Sequence, residues 1–545
     1  MKLRYERLWV CGALATAAFL KFILLAIQAV PFNSDEAIVG LMARHILHGE
    51  KPVFFYGQAY MGSLDAWLVA GAFRILGDQV MVIRIVQILL YMLYLVSLWK
   101  LAQVIFTSRL IPVITIWIAA IPTVLVTTYT TATLGGYGET ILFGNLILWL
   151  GYEVTFGRWS TAWLAWLALG AVGGLAFWTL GLAGIYLLPV VIVGLRGFYI
   201  DLNSCYQGST VKQSFYFLRT KILLYLLAAV AFMIASSPWW LYNLNNSGEA
   251  MAILTGTSSL SLASLTFWQR FIGFLLIGIP GLLGFRFPWS PDLSPWPVLV
   301  ISVMIYLGAT SYLAWGIRRG QPAMAPGARL LLGCFMLIFF VFFLGTHFGV
   351  DATGRYFLPM YVPLTFALAA FVEAAWKRKQ LLGIGLLLII LAISGFETTR
   401  AAASPDRITT QFDPITRFDN RYDNELMTFL QTQGETNGYS NYWVSFRLAY
   451  LSDEEIIYVA RLPDKADLSY TPAYNRYPAY NQIVSASQRV AYITSKHPQL
   501  DRIIREGLLS LNVAFVEKQI GDYHIFFSLS RLVHPEELGL GMKRP

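Results

Sequence analysis

Two adjacent carboxylates, Asp35 and Glu36, lie in the segment NSDEA, shortly after an apolar run long enough to cross a bilayer. An acid at the mouth of a membrane-bounded cavity can take a proton from an incoming hydroxyl, the task of a general base. Both residues also suit the first turn of a helix capped by Asn33 or Ser34, where negative charge complements the dipole. The helix that would follow, to about His48, is amphipathic enough to lie along an interface and ends at Gly49 before Lys51 and Pro52. His45 and His48 share its face without an obvious third ligand, so interfacial packing accounts for them better than a metal site. Next comes FFYGQAYMGSLDAW, where Tyr56, Gln58, Tyr60 and Asp65 are polar groups among aromatics. Such a surface suits a sugar, and equally an interfacial loop.

Further along, TLGGYGET sets Glu139 at the entry to another apolar run, where an acid either caps the helix or faces a cavity opposite Asp35 and holds substrate hydroxyls. In THFGVDATGRYFLP, Arg355 begins a late run and would bind a lipid phosphate, or snorkel at a helix end. Arg270 and Arg286 are weaker candidates of the same kind. Lys21 lies inside the first run and either snorkels or faces the cavity. The three cysteines, Cys11 and Cys334 in apolar runs and Cys205 in a polar loop, supply neither a disulfide framework nor a Cys-based zinc site. No Gly-rich phosphate loop is present, so no nucleotide site is expected. A divalent metal could act through Asp35 and Glu36, but no cofactor is required by the sequence.

The elements that must position these groups are membrane helices. Of the 545 residues, 57% are hydrophobic and 13% charged, against roughly 25% charged in a soluble domain. The net charge of +9 does not point to nucleic acid, because the cations flank apolar runs instead of forming one basic face. The first run follows Lys2, Arg4 and Arg7 and lacks a small-residue cleavage site, so it is expected to remain as a helix. Cytoplasmic loops collect Lys and Arg. That rule marks as inside the N-terminus, Lys100 with Arg109, Arg158, the loop with Arg196, Lys212, Arg219 and Lys221, Arg318 with Arg319, and Lys377 to Lys379.

Parity then demotes Leu64 to Leu76 and Phe271 to Leu283 to partly embedded segments. About eleven crossings remain: Leu8 to Val30, Val80 to Phe106, Leu110 to Thr128, Thr140 to Phe156, Ala162 to Trp178, Leu180 to Gly194, Ile222 to Trp239, Pro295 to Trp315, Leu330 to Gly345, Tyr356 to Ala375, and Leu381 to Phe396. The expected architecture is thus a polytopic α-helical membrane domain over 1–396, with external loops 31–79, 129–139, 240–294 and 346–355. Trp239, Trp240, Tyr242, Trp289 and Trp296 suit the interfacial belt.

From Glu397 to Pro545 the charge density becomes ordinary, and an odd number of crossings puts this 397–545 domain outside the cell membrane. Helices are predicted at Asn424 to Gln433, Ser445 to Leu451 and Leu500 to Leu511. Strands are predicted at Ile456 to Ala460, Arg489 to Ile493, Val513 to Lys518 and Tyr523 to Leu529, with Gly521 and Asp522 as the last turn. A small α/β domain results. Its aromatics around Tyr439 to Tyr450 and Tyr474 to Tyr480 suit core packing more than an acceptor glycan, and no catalytic role is expected of it.

The carriers NSDEA, YGQAYMGSLDA, GGYGE and RYFLPMYVPL, spread over the whole membrane part, resemble the GT-C glycosyltransferases. Within them the chain looks like the group of protein O-mannosyltransferases and the lipid A aminoarabinose transferase. The resemblance implies that Asp35 is the catalytic base with Glu36 in support, and that Glu139 is a second acid in the next external loop; Tyr60, Gln58 and Asp65 remain candidate substrate-binding residues on their own setting. It also implies that Arg355 lies near the phosphate of a polyprenyl-phosphate sugar, where Arg270 is a weaker candidate from its place in the third external loop. A basic residue found in the first loop of some relatives is replaced here by Gln58, Ala59 and Tyr60. The Trp-Trp-Asp signature of oligosaccharyltransferases is absent from the tail, since Trp239 and Trp240 lie elsewhere and lack the Asp.

The reaction so implied is inverting transfer of a hexosyl or pentosyl group to a hydroxyl of a glycan, lipid or protein, at the outer face of a plasma (inner) membrane. The rival readings are a polytopic transporter or lipid-linked-sugar flippase, which would place ionisable groups or broken helices at mid-membrane, and a non-catalytic envelope scaffold.

Overall fold

The computed structural model describes residues 3–208, 211–254, 265–319 and 323–541. Residues 255–264 of the expected third external loop, and the side chains of Cys205 and Lys212, lie outside the described residues.

Long apolar runs become long helices because a backbone among lipid tails must satisfy its own hydrogen bonds. Among the described residues eight helices are long and apolar enough to cross a membrane, within Glu6–Ala26, Val80–Ile105, Gly181–Asn203, Leu218–Ala235, Trp296–Gly316, Ala328–Gly345, Arg355–Arg378 and Gln380–Ala403. The protein is therefore a multi-pass membrane protein. A ninth expected crossing is a pair, Leu110–Ala120 and Val124–Thr131, bent by 72°. Pro122 follows Ile121, whose backbone leaves the helical region at φ −120°, ψ 78°, as a residue before proline must.

Two of the eleven expected crossings fall short of that set. Trp163–Thr179 has 17 residues, roughly 25 Å of helix against the roughly 30 Å of a hydrocarbon core. Tyr137–Thr155 carries Glu139, Asn145 and Glu153. The two demoted segments are short helices, Leu64–Leu76 and an interrupted run over Phe267–Leu282. Gly170 and Gly174 on Trp163–Thr179 let it pack onto Val211–Ala235; a Cβ at Gly170 would meet the carbonyl of Ala228 at 2.1 Å, the close approach that small residues permit in membranes.

The strands are β1 (Phe54–Phe55), β2 (Gln58–Gly62), β3 (Asn437–Ser440), β4 (Ile457–Ala460), β5 (Ala491–Ser495), β6 (Val516–Ile520) and β7 (Tyr523–Phe527). β1 and β2 form a hairpin in the first loop. The other five form one sheet in the order β4-β3-β5-β7-β6, with β3 parallel to β4 and β5, and β7 antiparallel to β5 and β6. The expected α/β tail is thus present. β3 and the helix Ala479–Ser485 join the elements predicted from sequence, and the last long helix runs past Phe396 to Ala403.

The tail is docked on the first loop. The helix Tyr442–Leu451, which crosses from β3 to β4, lies along the helix Ser34–Leu47. Their approach is so close that a Cβ on Gly40 would come within 2.5 Å of the Tyr450 ring. Ser34 donates to the carbonyl of Trp443 at 2.9 Å, Asn420 to that of Phe32 at 2.9 Å, and Tyr450 to Asp78 at 2.8 Å. Arg44 bridges Asp78 at 2.8 Å and Asp453 at 2.9 Å. His45 contacts the Tyr56 hydroxyl at 2.8 Å and Glu454 at 3.1 Å, so its ring joins two parts of the chain in a hydrogen-bonded interface.

Candidate active site

Asn33 caps the helix Ser34–Leu47 by accepting from the Glu36 amide at 3.1 Å, and this fixes Asp35 and Glu36 in its first turn. Adjacent residues on a helix point about 100° apart, and these two diverge. Asp35 faces a cavity of about 230 Å³ under the tail domain. Glu36 is fully buried and held by Arg84 through two contacts, 3.1 Å and 3.0 Å. Glu36 therefore lies apart from the cavity that Asp35 lines, paired with Arg84 instead.

Besides the helix that carries Asp35, four parts of the chain line the cavity. The β1–β2 hairpin contributes Phe55, Gln58, Tyr60 and Met61; the bent helix pair contributes Tyr129, and the segment after it Leu134 and Tyr137; the late loop contributes Thr353 and Arg355. The fourth part is the segment beyond the last long helix, with Thr410, Phe412, Tyr442, Trp443, Tyr474 and Arg476. Gly135, at φ 83°, is needed where the Met61 methyl would lie 1.7 Å from a Cβ.

Tyr442 donates to the Asp35 carboxylate at 2.5 Å. Burial raises the Asp35 pKa, while the Tyr442 hydroxyl, Arg476 and Arg355 pull it back. Tyr442 begins its own helix, so the positive end of that dipole lies beside the same carboxylate. Arg355 pairs with Asp351 at 3.3 Å and lies over Tyr356 at 5.1 Å and Tyr137 at 5.8 Å. Arg476 lies over Tyr442 and Tyr474. One acid, two guanidiniums and several aromatic faces therefore share one small space, an arrangement that can polarise a hydroxyl and hold an anion.

Of the residues singled out from sequence, Asp35, Gln58, Tyr60 and Arg355 meet in this cavity. Asp65, Glu139 and Arg270 do not line it. Asp65 is fully buried, accepting from Thr133 at 2.9 Å and from the Ala66 amide at 2.8 Å; burial raises its pKa against those bonds. Glu139 is buried beside it, with one carboxyl oxygen lacking a partner among the described residues. Glu139 lies two positions past Tyr137, about 200° around the same helix, so the tyrosine takes the cavity face. Arg270 donates to the Gly345 carbonyl at 3.1 Å, at the Phe267–Leu282 run. Lys21 is buried and bonded to Thr130 and Thr131 at 2.7 to 3.0 Å. Sequence reasoning missed Tyr442, Tyr474 and Arg476 as cavity residues, although the aromatic clusters that contain the two tyrosines were visible.

No protein-family model matches the chain, and no curated protein matches it. Among solved structures, ArnT from Cupriavidus metallidurans in the apo state is similar over 96% of this chain and 97% of that one, with a TM-score of 0.58 and 12% identity. ArnT from the same organism bound to undecaprenyl phosphate gives 98% and 100%, with a TM-score of 0.58 and 13% identity. The apo oligosaccharyltransferase of Archaeoglobus fulgidus covers 91% of this chain and 70% of its own, with a TM-score of 0.50 and 11% identity. The chain has the GT-C glycosyltransferase fold.

Proposed function

We propose that this protein is an inverting glycosyltransferase that moves a hexosyl or pentosyl group from a polyprenyl-phosphate donor to a hydroxyl of a glycan, lipid or protein acceptor. The observation that carries this reading is the Asp35 carboxylate opening onto a cavity that also holds Arg355. Asp35 takes the acceptor proton, the acceptor oxygen bonds to the anomeric carbon, and the bond from that carbon to the phosphate oxygen breaks with its electron pair on the leaving polyprenyl phosphate. Arg355 offsets the charge that develops there. Tyr60 and Gln58 offer hydrogen bonds to the sugar. A cavity of about 230 Å³ is below the roughly 300–1,000 Å³ of drug-sized ligand sites, which suits one sugar ring better than a preassembled oligosaccharide.

The lipid carrier is supported by the undecaprenyl phosphate bound to the similarly folded ArnT. In this reading the N-terminus is cytoplasmic and the cavity and tail face the outer side of a plasma (inner) membrane, in line with the loop cations. The transporter reading has less support. It would draw on the break between Leu110–Ala120 and Val124–Thr131; against it, Lys21, an ionisable group inside the first span, is engaged by Thr130 and Thr131, and the acid and cations of the cavity gather beneath the tail.

The test is incubation of purified protein with a panel of radiolabelled polyprenyl-phosphate sugars. One donor is expected to be consumed, and Asp35→Asn is expected to lower transfer by about 10²–10⁴-fold with an unchanged elution profile. Unaltered transfer by that variant removes the base assignment; a panel with no donor consumed removes the transferase reading.

A further inference from the structure

Arg476 lies between the short turn Pro472–Tyr474 and the helix Ala479–Ser485 of the tail. It is 6% exposed and reaches back into the membrane domain's first loop. Its guanidinium lies over the Tyr442 ring at 5.4 Å and the Tyr474 ring at 5.7 Å. It donates to the Gly57 carbonyl at 3.4 Å, and to the Gln58 amide oxygen at 2.5 and 2.7 Å when that amide is turned to face it. Gly57, at φ 68°, brings the hairpin so close that a Cβ there would lie 3.1 Å from the Arg476 Cα. The side chain is thus held by packing and by neutral acceptors.

No acid pairs with it among the described residues, and its Nε is buried without a partner. Arg355, by contrast, has Asp351. Asp35, which feels the Arg476 charge, is bonded to Tyr442 instead. Arg476 thus shares the cavity with the Asp35 charge but has no acid in direct contact, and a buried cation fixed at a cavity wall without a bonded acid is poised for an anion. The first loop brings no cation of its own to the cavity: Lys51 is exposed ahead of the hairpin, and Gln58 serves as the holder of the guanidinium.

We infer that Arg476 binds the phosphate of the lipid-linked donor, so that the tail domain completes the donor site of the membrane domain. This rests on the glycosyl-transfer reading above. A planar guanidinium offers paired N–H groups in the geometry of phosphate oxygens. The donor phosphodiester carries one negative charge, whereas the released monoester carries up to two, because the electron pair of the broken bond stays on the phosphate oxygen. The Arg476 contact therefore strengthens as the leaving group departs, which is the condition for a binding contact to speed a reaction.

The test measures the affinity of the full-length protein for undecaprenyl phosphate and for the neutral alcohol undecaprenol in the same detergent. The ratio of the two isolates recognition of the charge from burial of the chain. The wild type is expected to prefer the phosphate, Arg476→Gln to lose at least about tenfold of that preference, and Arg476→Lys to keep most of it. A preference unchanged in Arg476→Gln overturns the inference and leaves the transferase reading standing, with Arg355 alone at the phosphate. A wild type with no preference overturns both. Should the Gln variant not fold, Gln58→Leu, which removes the holder, is read in the same way: a lowered preference supports the inference and an unchanged one overturns it.

Discussion

At the scale of single residues, the environment of Asp35 predicts a pH signature. Burial raises its pKa and the Tyr442 hydroxyl lowers it. Tyr442→Phe removes a bond made to the ionised form, so the pKa rises further and the base becomes competent only at higher pH. The acidic limb of kcat/KM against pH is expected to move up, by on the order of one unit, with the alkaline plateau largely kept. A limb that stays in place or moves down contradicts the base assignment. Glu36, one position along, predicts a different outcome. Glu36→Ala leaves the buried Arg84 without its partner, a loss of about 3–5 kcal/mol, and thermal unfolding is expected at clearly lower temperature. The double change Glu36→Leu with Arg84→Met is expected to recover much of that stability. The contrast between these neighbours was readable in principle from helical geometry. Which of the two faces the cavity was not, because that depends on where Arg84 and Tyr442 arrive.

At the scale of elements, the apolar runs made the long helices legible, and Leu64–Leu76, the stretch that charge parity demoted, is a helix of 13 residues. The sequence was less informative where length and polarity balance: Trp163–Thr179 and Tyr137–Thr155 are real helices whose membrane status neither property decides. β3 escaped notice because NGYS has only four residues and begins with turn formers; its place is fixed by its two parallel neighbours, β4 just beyond the next helix and β5 further along. The packing of Ser34–Leu47 on Tyr442–Leu451 makes its own prediction. Gly40→Ala puts a methyl against the Tyr450 ring, at an expected cost of about 1–3 kcal/mol, and Tyr450→Ala in the same chain is expected to relieve most of it. Unfolding transitions of the two single variants and the double variant form the cycle that checks this.

At the scale of the whole molecule, the join between membrane domain and tail is a built part of the protein. The amide of Ile408 donates to the Ala29 carbonyl at 2.9 Å, and residues Ile408 to Gln411 are buried. Thr410 and Phe412 face the cavity beside Asp35, while Gln411 faces a larger cavity of about 640 Å³ on the other side. A hinge would be exposed and open to cleavage. Limited proteolysis of the native protein is therefore expected to spare residues 408–412 at temperatures below unfolding; early cutting there would show that the tail moves freely. Composition alone divided the chain into two parts, but it could not reveal that they share a cavity, since a contact between Asp35 and Tyr442 leaves no mark on either local pattern.

That contact also orders events during synthesis. Asp35 emerges from the ribosome about four hundred residues before the hydroxyl that it will bond, a separation that follows from the positions of the two residues. A nascent chain that has threaded every helix into the bilayer still carries a half-walled pocket, with its acid facing whatever surrounds it. Until Tyr442 and Arg476 are made the cavity lacks its tail wall, and a message truncated before Tyr442 is expected to yield a membrane domain with that pocket open.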